Sequence, residues 1–189
     1  MWTAIALAYH VVSRLAYVVG VGVALTRQDR HQVFTRRHGI EPGFLRFRRL
    51  ASFVMNNDAV SFVVLCLVTR QTLPGESPLL IRSGAGLLFI FIGLSTKLWA
   101  AARVGHAAYY WHNFFVPIPP VPLDPPGPYR YLKNPMYTVG YLHAYGFALL
   151  VGSGTGLIAA AFDQMAILVF NQMVERPHFM RLTRPAPKL

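Results

Sequence analysis

Five strongly apolar segments, each roughly 16 to 23 residues long, constrain the fold of this chain more than any other sequence feature. An α-helix needs about 20 apolar residues to cross a bilayer. In lipid the backbone must also satisfy its own hydrogen bonds, which favours helices. The sequence therefore predicts an all-α polytopic membrane bundle with about five transmembrane helices. The segments run over about Thr3–Leu25, Leu50–Val68, Ser83–Arg103, Met136–Val151 and Gly156–Val174.

The composition of the 189 residues agrees with this prediction. Hydrophobic residues make up 54% of the chain and charged residues 13%, against about 25% charged residues in an ordinary soluble domain. Five spans leave little chain for a separate soluble unit, so residues 1–189 are expected to form a single membrane domain. The N-terminal stretch has no basic region before its apolar run, which favours a first span over a removable signal peptide.

A net charge of +11 invites comparison with nucleic-acid-binding proteins. However, the basic residues lie in the gaps between apolar segments, as the positive-inside rule expects, and this disfavours nucleic acid as a partner. Seven arginines fall within 26–49, whereas the next gap contains only Arg70 and Arg82. We therefore expect the N-terminus outside and the large basic gaps and the C-terminus on the cytoplasmic side.

Several polar residues lie where the sequence predicts membrane-spanning helix. Arg14 and Asp58 come at similar depths in their segments, which predicts a buried structural ion pair. Lys97 is expected to extend its ammonium toward a nearby helix end. Asp163 has no partner that the sequence reveals.

The last segment carries Gln164, Asn171 and Glu175 on one helical face. A carboxylate at a helix C-terminus is disfavoured by the helix dipole. Glu175 is therefore either solvated or held by a cation, from a ligand or from the nearby Arg130 and Lys133.

The segment "GPYRYLKNPMY", Gly127–Tyr137, leads into the fourth apolar run, and "GSGTG", Gly152–Gly156, predicts a tight hairpin between the fourth and fifth. Seven of the 14 prolines fall within Pro117–Pro128 and exclude helix there. This stretch is either an interfacial linker or a cover over a site. The sequence contains no HExxH motif, no paired His/Cys spacing, no GxSxG and no phosphate-binding loop, so a metal site is not predicted.

Taken together, "GPYRYLKNPMYTVGYLHAYGFALLVGSGTGL" and the later "NQMVERPHF" resemble the superfamily of phospholipid N-methyltransferases and isoprenylcysteine carboxyl methyltransferases. The resemblance covers about residues 83–180. It is closest to phosphatidylethanolamine N-methyltransferases, which show "NPMY" and an acidic residue followed by proline and an aromatic, here Glu175, Pro177 and Phe179. It implies S-adenosylmethionine as cofactor, S-adenosylhomocysteine as product and a membrane lipid as substrate.

The resemblance and the chemistry of methyl transfer suggest roles for individual residues. The candidates for cofactor binding are Tyr129, Lys133, Asn134, Pro135, Tyr137, Asn171 and Glu175. The candidates for catalysis, as bases that take a proton from an amine, are Glu175, His106 and His112. The candidates for binding an anionic substrate group are Arg130, Arg176, Arg46 and Arg49.

The chain departs from the family pattern at two points. Arg176 stands where the family has a second acidic residue. Gly84 and Gly86 are the nearest match to a family G-x-G cofactor element, yet the predicted topology puts them at the membrane face opposite Glu175, which favours a packing role.

The leading prediction is methylation of a lipid amine, that of phosphatidylethanolamine or its partly methylated forms. One alternative is an isoprenylcysteine-type enzyme acting on a lipophilic carboxylate or thiol. Another is a non-enzymatic scaffold or lipid-binding protein with the same fold.

Overall fold

The structure is a computed structural model that describes residues 1–75, 78–116 and 127–182, except for the side chains of residues 106 and 107. Within these ranges the chain is almost entirely helical and contains no strand. The prolines between Pro117 and Pro126, predicted to form a linker or a cover, lie outside the described residues.

Four helices are long and apolar enough to span a membrane, which confirms the predicted polytopic bundle. The fourth predicted segment forms a shorter helix of about 13 residues, or about 20 Å. The structure begins this helix at Val139, three residues after the predicted Met136, because the residues before it fold into turns. In chain order the helices are α1 Trp2–His31, α2 Val33–His38, α3 Ile40–Val68, α4 Leu79–Val104, α5 His106–Tyr109, α6 Val139–Val151 and α7 Gly154–Leu182.

The predicted hairpin joins α6 to α7. Gly152 adopts a left-handed conformation, with φ of 71°, and ends α6. Ser153 then caps α7 by accepting a hydrogen bond from the Gly156 backbone N–H at 2.8 Å. Thr69, directly after α3, contacts the Ser153 hydroxyl at 2.7 Å, so α3 ends beside this turn. We call this end of the bundle the hairpin end, and the opposite end, which holds the arginine-rich residues 27–49, the basic end.

Glycines bring α4 and α6 into backbone contact. A Cβ on Gly86 would lie 2.9 Å from the Gly146 carbonyl oxygen, and a Cβ on Gly146 would lie 2.6 Å from the Gly86 oxygen. A Cβ on Gly140 would lie 3.0 Å from the Pro135 carbonyl oxygen and 3.4 Å from the Lys97 Cβ of α4.

A buried polar cluster crosses the middle of the bundle. Arg14 of α1 lies 3.0 Å from Asp58 of α3 and 2.6 Å from Asp163 of α7, and it also donates to the Tyr141 hydroxyl of α6. The predicted pair of Arg14 and Asp58 is confirmed, and Asp163 is its third member. The Nε2 atom of His10 lies 3.3 Å from the Asp163 carboxylate. One guanidinium thus links four helices.

The glycine contact predicts a difference between two neighbouring substitutions. Gly86→Ala should lower the free energy of unfolding by about 1–3 kcal/mol, because the new methyl group meets backbone atoms of α6 that have no room to move. Gly84→Ala is the matched control, since a Cβ there has nothing within 4 Å. Thermal unfolding in detergent micelles measures both variants. Equal melting temperatures would contradict the packing role of Gly86.

Candidate active site

Glu175 is the centre of the candidate site. Its residue surface is only 7% exposed, although it lies near the end of α7. Its Oε1 accepts hydrogen bonds from the Trp111 indole N–H at 2.5 Å and from the Tyr137 hydroxyl at 2.8 Å. Its Oε2 accepts from the Asn171 amide. Three neutral donors therefore hold the carboxylate in place.

This carboxylate has no cationic partner in the part of the chain that the structure describes. None of the ion pairs there includes Glu175. Arg130 and Lys133, the predicted partners, are both exposed. A buried charge that only neutral groups satisfy is costly, so the site is suited to receive a cation from a ligand.

Local backbone irregularities position the groups around Glu175. Residues Asn171–Glu175 form a π-helical turn of α7, a feature common at functional sites. Pro177 lacks a backbone N–H and would crowd the preceding turn of a regular helix, which accounts for the widening. Trp111 adopts a left-handed conformation with φ of 58°, which is uncommon for a bulky residue. Such strain persists where the surroundings fix the residue.

The "NPMY" residues form a turn that presents Tyr137. The Asn134 side-chain oxygen accepts from the Tyr137 backbone N–H at 3.3 Å, and the Asn134 carbonyl accepts from the Thr138 hydroxyl at 2.7 Å. Gln164 of α7 donates to the carbonyls of Tyr137 and Thr138 at 3.1 and 3.2 Å. Gln164 and Glu175, at the two ends of the polar face predicted on α7, therefore contact this turn, and Asn171 between them donates to Glu175.

A cavity of about 470 Å³ adjoins the site. Its wall includes Trp111 and Tyr137, which hold Glu175, and continues to Arg14, Asp58 and Asp163 in the middle of the bundle. Two of its sides are formed by α3 and α4, whose lining residues Val63 and Leu94 are 39% and 42% exposed. The cavity therefore joins the Glu175 region to the outside of the bundle.

The structure brings together six of the predicted site residues. Pro135 is buried beneath the turn, and Tyr129 is half-buried close enough for the Glu175 charge to act on its hydroxyl. Burial and that charge raise the pKa of Tyr129 to about 12. The six residues are Tyr129, Asn134, Pro135, Tyr137, Asn171 and Glu175.

The structure places other predicted site residues away from this centre. Arg176 is exposed and donates to Gln172 at 3.0 Å, because it follows Glu175 on the outer side of α7. His112 lies 3.3 Å from Glu41 and packs against Phe44, outside the cavity wall. The His106 side chain lies outside the described residues. Three further residues are exposed at the basic end: Arg46, which contacts His38, together with Arg49 and Lys133.

Three residues of the site and its cavity were not predicted as site residues. Trp111 lies beside an apolar segment, where aromatic residues usually form an interfacial belt. Lys97 was expected to reach toward a helix end but lines the cavity. His143 lines it too, and its Nδ1 contacts the Gly140 carbonyl. The sequence signal that could have identified His143 as a site residue is its position within an apolar segment.

Comparison with known proteins agrees with the motif. Residues 81–182 match the family model described as phospholipid methyltransferase. A phosphatidylethanolamine N-methyltransferase of Pyricularia oryzae is 31% identical over 146 residues, covering 76% of this chain and 15% of the relative. A phosphatidylethanolamine N-methyltransferase of Clavispora lusitaniae is 32% identical over 152 residues, covering 76% of this chain and 18% of the relative. The chain thus spans less than a fifth of the length of these relatives. No solved structure matches it significantly.

The fold and site define an integral membrane protein with a buried anionic centre beside a cavity that opens toward lipid. The chain belongs to the phospholipid methyltransferase family, as the family model matches more than half of it. The predicted resemblance is confirmed.

The raised pKa of Tyr129 predicts a stability change at alkaline pH. The folded state keeps this phenol neutral up to about pH 12, whereas the unfolded chain loses the proton near its ordinary pKa of 10.0. The contribution of Tyr129 to the free energy of unfolding is therefore complete below pH 10 and is lost as the pH rises from 10 to about 12.

Tyrosinate absorbance at 295 nm measures this difference. At pH 11, wild type and Tyr129→Phe should give the same signal when folded, and wild type should gain one extra tyrosinate when unfolded. An extra tyrosinate in the folded wild type at pH 11 would contradict the assignment.

Proposed function

We propose that the protein transfers a methyl group from S-adenosylmethionine to the amine of a membrane lipid, with phosphatidylethanolamine as the preferred acceptor. The single observation that carries the proposal is the buried carboxylate of Glu175, held by three neutral donors beside a cavity that opens toward lipid. The family and the names of the curated relatives support the same activity.

The residues around Glu175 fit this cofactor. The cofactor supplies a methyl group on a positively charged sulfur, and it also carries an ammonium group. Glu175 attracts such charges, and the rings of Trp111 and Tyr137 offer aromatic faces to a cation. Asn171 and the turn at Asn134 fix the positions of these groups. Their role is to hold the reacting atoms in line, since positioning supplies much of the rate in this type of transfer.

A lipid ammonium must lose a proton before its nitrogen can form the new bond to carbon. His143 is the proposed base. Its Nδ1 contacts the Gly140 carbonyl at 2.5 Å, and because a carbonyl only accepts, Nδ1 carries the hydrogen. Nε2 of the neutral ring then has a free lone pair, and the ring lines the cavity. The earlier candidate His112 contacts Glu41 instead.

We also propose that the basic end faces the cytoplasm. Residues 27–49 carry seven arginines at this end, and the candidate site lies at the same end. A water-soluble, nucleoside-derived cofactor would then reach the site from the cytoplasm, while the acceptor arrives from the bilayer. The N-terminus, at the start of α1, lies at the hairpin end and would face outward.

Glu175→Gln tests the cofactor assignment. The substitution keeps the shape of the side chain but removes its charge, so the Kd for S-adenosylhomocysteine should rise at least tenfold, or about 1.4 kcal/mol. Isothermal titration calorimetry of the purified protein measures it. Glu41→Gln is the control, because that carboxylate is 67% exposed and pairs with His112, away from the cavity. Equal Kd values for Glu175→Gln and wild type would disprove the assignment.

The same preparations test the acceptor. Incubation with cofactor labelled in its methyl group and phosphatidylethanolamine vesicles should place stable label in the lipid. Volatile label released by base would instead indicate a methyl ester and a carboxylate acceptor. Binding of S-adenosylhomocysteine by neither wild type nor control would favour a non-enzymatic role.

Cysteine labelling tests the orientation. In a Cys66→Ala background, which removes the single cysteine, Arg37→Cys should react with a membrane-impermeant maleimide only in inverted vesicles. Arg70→Cys, exposed at the hairpin end, should react only from the outside of intact cells. The reverse pattern would overturn the proposed orientation.

A further inference from the structure

Four charged residues line the cavity, and two of them have unused binding capacity, whereas Arg14 and Asp163 contact each other. Asp58 projects from α3 and Lys97 from α4, and both line the cavity. They come from the two helices that frame its lipid-facing sides. A negative and a positive group in one cavity suggest a ligand with the opposite charges.

Asp58 has unused hydrogen-bonding capacity. The residue is only 7% exposed. Its Oδ2 lies 3.0 Å from an Arg14 nitrogen, but its Oδ1 is buried and has no hydrogen-bond partner among the described residues. Arg14 makes no second bond to Asp58, and its other nitrogens contact Asp163 and Tyr141. A buried carboxylate oxygen without a donor is costly, and a ligand N–H would remove that cost.

The ammonium of Lys97, like the Asp58 carboxylate, can bind a further charged group. It is half-buried, and among the described residues no carboxylate oxygen lies within ion-pair distance of its ammonium. The polar neighbours on the same wall include His143, which is directed toward the Gly140 carbonyl. Lys97 can therefore donate to an anionic group inside the cavity.

Helix geometry brings the two charges toward each other. At about 1.5 Å per residue, Asp58 lies about 15 Å and Lys97 about 27 Å from the hairpin end. Side chains lean toward the N-terminus of their own helix. The N-terminus of α3 is at the basic end and that of α4 at the hairpin end, so both side chains lean into the interval of about 12 Å between them.

We propose that Asp58 and Lys97 form the binding site for the headgroup of a zwitterionic aminophospholipid, the first taking its ammonium and the second its phosphate. This inference rests on the proposed function and names the residues that select its acceptor. The two charges of such a headgroup are separated by only two carbon atoms, so one molecule can reach both residues. Its acyl chains leave between α3 and α4, past Val63 and Leu94.

The test uses short-chain phosphatidylethanolamine, read as a thermal shift of purified protein in the presence of S-adenosylhomocysteine. Wild type should be stabilised by this lipid and clearly less by short-chain phosphatidylglycerol, which has no ammonium. Asp58→Asn and Lys97→Met should each lose the shift and raise the KM for phosphatidylethanolamine at least tenfold. Lys97→Arg should keep most of the binding. Arg70→Met, exposed outside the cavity, is the control.

Binding of S-adenosylhomocysteine separates the possible failures. It should be unchanged within about twofold in Asp58→Asn and Lys97→Met, which also shows that both variants are folded. If wild type binds neither this product nor the lipid, the proposed function itself fails. If wild type methylates the lipid and both variants keep its KM, the headgroup site is disproved. If Asp58→Asn does not fold, the pair Lys97→Met and Lys97→Arg decides alone.

Discussion

The guanidinium of Arg14 is shared among Asp58, Asp163 and Tyr141, and the positions of four helices depend on this sharing. A charged side chain at this depth is tolerated only when it is paired and hydrogen-bonded. Each helix must therefore present its polar group at one level and in one direction. Because α1, α3, α6 and α7 meet there, the space toward the basic end has fixed walls, and the cavity occupies that space.

At the other end of the cavity, the carboxylate of Glu175 is held differently. Its donors come from three separate parts of the chain: the turn before α6, the segment that follows α5, and α7 itself. None of them carries a charge. Arg14 therefore gives Asp58 and Asp163 a cationic partner within the protein, whereas Glu175 has none among the described residues. That contrast marks Glu175 as the group suited to a cationic ligand.

Sequence reasoning succeeded where the signal was periodic or local. The hydrophobic segments, the hairpin at Gly152 and the face shared by Gln164, Asn171 and Glu175 follow from helix geometry alone. The pairing of Arg14 with Asp58 followed from the similar depths of the two residues in their predicted membrane spans. Asp163 could not be added, because its partner depends on how closely α7 approaches α1. The contact of Trp111 with Glu175 could not be predicted either, because it depends on a left-handed backbone conformation at Trp111 that no sequence pattern indicates. Arg176 fills a motif position, but the structure directs it away from the site.

The shortness of α6 has a consequence for the turns before it. At about 20 Å, this helix covers only about two thirds of a hydrocarbon core of about 30 Å. The remaining depth is taken up by the turns at Asn134 and Tyr137, whose backbone groups are satisfied by protein and not by membrane. Because lipid offers no hydrogen-bond donors, a substitution that removes the Gln164 side chain would leave the carbonyls of Tyr137 and Thr138 without these partners at the depth of the hydrocarbon.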